Sequence, residues 1–310
     1  MAKLETCGKK GLAQQGSKDA LLEELEDFLR ENAERRLCMA AVDVEHFKLD
    51  EAGCNWEQYS PSMREKLKQR QQLLIEIERA LQNKEFCFYL QPKCNSMTHA
   101  IVGMEALVRW NHPTRGIVSP GEFVPLMEET GLITRLDLYL WEEVCWKARN
   151  ENMVPISVNV SISDIAALDV AQVLWELVQK YQLEPKLLLV EITESMLAQN
   201  LKMVENTIAA LHRKGFAVLM DDFGSGYSSL NMLRNTSVDA IKLDMQFIVR
   251  DSESSKGRQI VESVIEMARR LNLPIIAEGV ETQEQVFMLQ SMDCLYTQGY
   301  YFYKPMAVKQ

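Results

Sequence analysis

"FAVLMDDFG", residues 216–224, carries an apolar run straight into two adjacent carboxylates, Asp221 and Asp222, and on into the glycine-rich "SGYSSL". A short continuous apolar run bounded by turn residues reads as a strand buried on both faces. Ending such a strand on two like charges is costly unless something beyond it takes the charge. The texture recurs: "FCFYLQP", "IVGMEALVRW", "ISVNVS", "LLLVEIT", "AIKLD", "IIAEGVE" and "LYTQGYYFY" alternate with amphipathic patterns such as "DVAQVLWELVQKYQ", "NLKMVENTIAALHRK" and "RQIVESVIEMARRLN". Buried strands alternating with helices predict a parallel sheet of βα units, and eight runs suit a closed (β/α) barrel better than an open sheet. Only "KCNSMTHA" joins the first run to the second. That joint is short enough for the pair to be antiparallel, a departure from the regular barrel.

The chain has 310 residues, 47% of them hydrophobic, enough for one large domain or two ordinary ones with a sizeable core. Its formal net charge of -10, from 44 acidic and 34 basic residues, gives no footprint for duplex nucleic acid and no polybasic membrane patch. A phosphate-bearing ligand would need local help from arginine or a metal. The cysteines, at 7, 38, 54, 87, 94, 145 and 294, form no CxxC pair or zinc spacing and read as reduced, mostly buried thiols. With a polar opening and no apolar stretch of membrane-spanning length, a cytoplasmic protein is expected.

Polar residues gather at one end of the runs. Glu105, Asn159, Glu191, Asp221 with Asp222, Lys242 with Asp244, Glu278 with Glu281, and Gln298 all lie near C-terminal ends. In a barrel these ends form one rim, where barrel enzymes keep their chemistry. A single carboxylate after a strand is often a helix cap or a solvated loop residue. Strand after strand ending on acid, amide or lysine is not explained that way. Carboxylates sharing a pocket repel one another and call for a cation. The histidines, at 46, 99, 112 and 212, form no HxH or HExxH arrangement and are expected on the surface or in loops. A pair of hard divalent cations with oxygen ligands, Mg²⁺ or Mn²⁺, therefore fits better than zinc. Two such ions about 3.5–4 Å apart are a common device for in-line phosphoryl displacement, and a nearby lysine could orient the attacking water.

Three other chemistries lack their parts. "DFG" comes without a GxGxxG loop or HRDxxxxN, "GSGYSSL" without the GK[ST] of a P-loop, and Ser161 and Ser228 without a histidine placed for a triad.

"MEALVRW", "NVS", "VEITES", "DDFGSGYSSL", "IKLD", "AEGVE" and "QGYYFYKP", in this order and spacing, resemble the EAL-domain family of bacterial cyclic di-GMP phosphodiesterases over about residues 75–306. The resemblance implies an α/β fold, a modified TIM (β/α)8 barrel with one antiparallel strand, over residues 75–310. It implies cleavage of cyclic di-GMP to linear pGpG with two Mg²⁺ or Mn²⁺ ions, Glu105, Asn159, Glu191 and Asp221 binding the first and Asp221, Asp222 and Glu278 the second. Lys242 resembles the residue holding the nucleophilic water, with Asp244 in support. Gln91, Arg109, Glu281 and Gln298 resemble substrate contacts, and Glu194 the anchor of the "DFGSGYSSL" loop, which in the family links metal binding to a homodimer formed through the barrel. Leu90 stands where members often carry tyrosine, and the chain stops soon after "KPM". Neither departure touches the metal set. Ca²⁺, with larger and looser coordination, is expected to inhibit. An inactive cyclic di-GMP receptor is the competing expectation, though such proteins usually show lost metal ligands.

Residues 1–74 are expected to form a mainly helical segment. "SKDALLEELEDFLRENAERR" sets Leu21, Leu22, Leu25, Phe28 and Leu29 on one face. "CMAAVDVEHFKL" resembles the opening strand of a diguanylate cyclase (GGDEF-type) domain, with Asp43 at its metal position, but no GGDEF signature follows. A remnant of such a domain, without synthetic activity, is expected there. Ser60 as N-cap and Pro61 as N1 open a linking helix on which Met63, Leu67, Leu74, Ile77 and Leu81 form a seam, packed on the next domain or self-associating.

Overall fold

The structure, a computed structural model, describes residues 61–151, 154–224, 236–244 and 255–308. The chain divides into two compact units, 1–66 and 67–310. The expected N-terminal helix, the diguanylate-cyclase-like stretch with Asp43, Ser60, and the "DFGSGYSSL" loop beyond Gly224 lie outside the described residues.

Residues 96–100 are all that separates β1 (Phe86–Asn95) from β2 (Ile101–His112). That is too short for a crossover helix, so the two strands pair as a hairpin. Asn95 Oδ1 turns the corner by accepting the N–H groups of Met97 and Thr98 at 3.0 Å. From β2 onward the strands run parallel: β4 (Ile156–Asn159), β5 (Leu188–Thr193), β6 (Val218–Phe223), β7 (Ala240–Asp244), β8 (Ile275–Glu278) and β9 (Tyr296–Thr297). β9 then closes onto β1, Cys94 opposite Thr297. The result is the expected eight-stranded closed barrel with one antiparallel strand, β1. Two short strands, β3 (Gly116–Val118) on β2 and β10 (Met306–Ala307) on β1, extend the ring.

The expected helices appear as α5 (Val170–Tyr181), α6 (Glu194–Arg213) and α7 (Ser255–Arg270), alongside the short α4 (Ile162–Ala167) and α8 (Gln283–Ser291). The linking helix α1 (Pro61–Asn83) buries Ile77 and Ala80 in the barrel's core cluster, with Leu74 and Leu81 packed against it, while Leu67 is 42% exposed. Its second half is thus a packed helix. The connection from β3 to β4 carries two helices absent from the sequence reading, α2 (Pro120–Thr130) and α3 (Ile133–Glu151). Pro120 opens α2 and Gly131, at φ 72°, closes it.

Cys94, Cys145 and Cys294 are buried and free, as expected, and burial pushes the Cys145 and Cys294 thiols up to about 12. His112 corrects the expectation of surface histidines. It is buried at the end of β2, and its Nδ1 accepts the N–H groups of Thr114 and Arg115 at 3.3 and 3.2 Å, capping the turn into β3.

α3 is fastened to the end of β4 twice. Trp141 Nε1 donates to the Asn159 carbonyl at 3.0 Å. One turn earlier, buried Asp137 hydrogen-bonds Asp164, whose Oδ2 caps α4 by accepting from Ser161 N and Oγ, both at 2.7 Å. Burial, then the Asp164 charge, pushes the Asp137 carboxyl well above its ordinary range, with Glu128 adding a further like charge. Asp137 therefore holds a proton in the native state that the unfolded chain releases near about pH 4. Stability from this pair is present at low pH and lost as pH rises toward the raised native value. Asp137→Asn keeps a donor to Asp164 without needing that proton. Its melting temperature is expected to exceed the parent's, by a margin that widens between about pH 5 and about pH 8. A constant margin across a series of melts would mean that the two aspartates share no proton.

Candidate functional site

Barrel closure brings the charged strand ends onto one cation. Lys242, 1% exposed on β7, sets Nζ 2.6 Å from Glu191 Oε2, 2.8 Å from Glu278 Oε1, 3.1 Å from Asp221 Oδ2 and 3.3 Å from Glu105 Oε2. Four strands thus each give one carboxylate to one ammonium. Gln298, just past β9, donates from Nε2 to Glu105 Oε2 at 2.6 Å and to Gln91 Oε1 at 3.3 Å, and Gln91 Nε2 reaches the Tyr303 carbonyl at 3.2 Å. Gln298 is held there by a close backbone approach. A Cβ on Gly299 would lie 2.1 Å from the Val280 carbonyl oxygen, so glycine is required at that position.

The electrostatics follow from who touches whom. Burial raises the pKa of Glu105, Asp221 and Asp222, and raises Glu278 well above the ordinary range, despite the attraction of Lys242. Glu191 goes the other way. Burial opposes its charge too, but Lys242 on one oxygen and Lys93 on the other outweigh it and hold Glu191 at about 2. Burial likewise disfavours the Lys242 charge, and the surrounding carboxylates reverse this, keeping it protonated.

The paired aspartates are resolved by a break in β6. Neighbouring residues of a regular strand point to opposite faces. The β6–β7 register shifts between Met220 and Phe223, and Asp222 adopts φ 55°, a left-handed conformation uncommon outside glycine. Its N–H is tied to Asp221 Oδ1 at 2.8 Å. Asp222 thereby stays within electrostatic reach of Lys242, Asp244, Glu105 and Glu191. Just beyond, Gly224 N donates to Glu194 Oε2 at 2.9 Å.

The remaining expected residues divide. Asn159 lies in register with Glu191, and Asp244 with Glu278, both at the rim. Arg109 and Glu281 are not drawn into the ring. The Arg109 guanidinium lies 5.6 Å over the Tyr89 ring and donates to the Val108 carbonyl at 2.7 Å, whereas Glu281 is exposed and its N–H donates to Gln285 Oε1 at 2.7 Å. Lys93, Ser157 and Tyr89 were missed. The available signal was their period of two from Gln91 and Asn159.

Glu105, Glu191 and Asp221 present carboxylate oxygens within 4.8 Å of one another. Hard oxygen donors converging on a point already stabilised for positive charge suit a divalent cation of the Mg²⁺ or Mn²⁺ kind. Among the described residues no helix is long and apolar enough to cross a membrane.

A family model described as the EAL domain matches residues 75–305. The chain belongs to the EAL-domain family. Cyclic di-GMP phosphodiesterase PA2567 of Pseudomonas aeruginosa is 33% identical over 283 residues, covering 89% of this chain and 47% of that protein. MucR of the same organism, named a bifunctional diguanylate cyclase/cyclic di-GMP phosphodiesterase, is 32% identical over 81% of this chain and 38% of its own length. The chain therefore spans less than half of either relative. Among solved structures, a c-di-GMP complex of the MucR phosphodiesterase is 33% identical, with a TM-score of 0.72 over 76% of this chain and 98% of that one. An EAL-domain protein of Listeria monocytogenes is 31% identical, with a TM-score of 0.66 over 75% and 93%.

In this EAL domain Lys242 is the counter-ion common to the four carboxylates. Lys242→Met leaves Asp221 and Glu278 without their buried cation, Glu105 with only Gln298 and Glu191 with only Lys93 of the partners described above, a change worth about 3–5 kcal/mol. The variant is expected to melt below the parent in EDTA and to gain more from added Mn²⁺, because a ligand that binds only the native state stabilises it. Melts of both proteins with and without Mn²⁺ check this; indifference of both to the metal would refute the cation site.

Proposed function

We propose that residues 75–310 hydrolyse cyclic di-GMP to linear pGpG, with residues 1–74 as an appended segment. The observation that carries the proposal is the ring of Glu105, Glu191, Asp221 and Glu278 around one buried cationic centre. Two Mg²⁺ or Mn²⁺ ions, when bound, would supply Lewis-acid stabilisation of the reacting phosphate and an activated water. Glu105, Asn159, Glu191 and Asp221 would hold one ion, and Asp221, Asp222 and Glu278 the other.

Lys242 must then leave the centre of the ring, and its flexible four-carbon stem allows it to do so. Its carboxylate neighbours keep it charged, so it serves as a hydrogen-bond donor holding the attacking water rather than as the base. Asp244, at the end of the same strand, supports it. As the water oxygen bonds to phosphorus, the P–O3′ bond breaks and the departing oxygen takes a proton, leaving a 5′-phosphate and a 3′-hydroxyl. Arg109, stacked on Tyr89 outside the ring, would exchange its bond to the Val108 carbonyl for one to a phosphodiester oxygen, an anionic acceptor that pairs more strongly with a guanidinium. Gln298 and Gln91 hold Glu105 and one another at the cleft floor, and Glu281 lies further out along the substrate path.

Incubation with cyclic di-GMP and Mg²⁺ or Mn²⁺, followed by chromatography, is expected to yield pGpG. Binding without product in either metal would make the protein a receptor. Glu105→Ala is expected to lower turnover by more than about 100-fold, beyond the 10–100-fold that outer partners of a metal ligand are worth. Near-normal rates in that variant would overturn the ligand assignment. Ca²⁺ is expected to inhibit in the same assay, since its looser coordination misplaces the reacting groups. Stimulation by Ca²⁺ would refute a two-ion site of Mg²⁺ geometry.

A further inference from the structure

Beneath the ring the barrel holds a second buried ammonium. Lys93, 2% exposed on β1, sets Nζ 2.6 Å from Glu191 Oε1 and 2.7 Å from Ser157 Oγ. The Ser157 hydroxyl donates to the Met104 carbonyl at 3.2 Å, which leaves its lone pairs to the lysine. The lysine stem runs past Gly103, its cross-strand partner, where a Cβ would lie 3.9 Å from Lys93 Cδ. Burying an ammonium costs several kcal/mol before its pairing is counted, and an apolar side chain of similar length would fill the same channel without that penalty. Packing alone therefore does not account for a lysine here.

The two lysines divide Glu191 between them. Lys242 holds Oε2, the oxygen shared with the ring, and has three other carboxylate partners; Lys93 holds Oε1 from below and, among the described residues, is hydrogen-bonded besides Glu191 only to Ser157. Lys242 can exchange partners when the ring is occupied, whereas Lys93 has nowhere else to go. We infer that Lys93 is a positioning residue of the phosphodiesterase reaction, fixing Glu191 as a one-oxygen ligand by immobilising its Oε1. This rests on the function proposed above. Lys93 itself is sealed from the cleft and acts chiefly through Glu191, which it touches, with a weaker charge effect on Glu105. Without it the Glu191 carboxylate can rotate, present both oxygens, and lose the aim of the one that faces the metals.

The decisive measurement is Mn²⁺ affinity without substrate, by calorimetry, beside kcat and KM for cyclic di-GMP. Lys93→Met is expected to weaken Mn²⁺ binding by about 10–100-fold, the usual loss when the outer partner of a metal ligand is removed. At saturating Mn²⁺ its KM should stay within about twofold of the parent's, since the lysine does not meet the substrate. In a Glu191→Gln background the same substitution is expected to change affinity by less than about threefold, because the partner it acts through is already altered. Parent-like Mn²⁺ affinity in Lys93→Met, or an equal loss in both backgrounds, overturns the inference. If Lys93→Met does not fold, Ser157→Ala decides: removing one of the ammonium's two partners is expected to weaken Mn²⁺ binding several-fold, and unchanged affinity overturns the inference. A parent that makes no pGpG overturns the function and the inference together, whereas an active parent with an indifferent Lys93→Met overturns the inference alone.

Discussion

Lys242 Nζ, within 2.6–3.3 Å of carboxylates from four strands, is the contact on which the site depends. Barrel closure forces those strand ends together, and at such separations in a low-dielectric interior their mutual repulsion would be prohibitive without a cation. The carboxylates respond unequally, and the inequality is geometric. Glu191 has a lysine on each oxygen and is held at about 2, while Glu105, Asp221 and Glu278 must share Lys242 and are raised by burial. The same arrangement that suits one ammonium suits denser positive charge, which favours the charged form of every carboxylate in the ring.

The antiparallel β1 supplies what the parallel strands cannot. Parallel strands present their C-terminal ends at the rim and descend away from it toward their N-termini. β1 descends along its sequence, so Gln91 lies level with Glu105 while Lys93 lies a layer deeper, level with Gly103. One strand thus delivers an amide to the floor of the cleft and a cation beneath it. The short turn between Asn95 and Ile101, which excludes a crossover helix, is the local cause of that arrangement.

The same reversal explains what could be read from sequence. Strand runs ending on acid, lysine or amide identified Glu105, Glu191, Asp221, Lys242, Glu278 and Gln298 because parallel strands obey one rule of direction. Lys93 escaped that rule, and so did Ser157, which sits below the strand end. Arg109 and Glu281 were legible as rim residues but not as members of the ring. Arg109 pairs in register with Cys87, above the Gln91–Glu105 level, and Glu281 follows the end of β8. The helices α2 and α3 escaped because attention to strand runs passes over a segment with its own signals, Pro120 at its start, Pro125 within it and Gly131 at its stop. Tertiary pairing, which decides that Asp137 faces Asp164 across two helices, has no local signature.

Asp221 and Asp222 show how a local conformational cost can be coupled to a global one. A regular strand would send one of them away from the cleft, so the pair is useful only with the bulge and the left-handed backbone at Asp222. That strained conformation is followed two residues later by Gly224 at φ 99°, whose N–H is held by Glu194. Glu194 opens α6 directly after β5 ends at Thr193 and three residues after Glu191, so the residue paired with both lysines and the residue bonded to Gly224 lie on the same short stretch of backbone. The carboxylate paired with both lysines and the N–H of Gly224 are thus joined through three residues of backbone and one hydrogen bond.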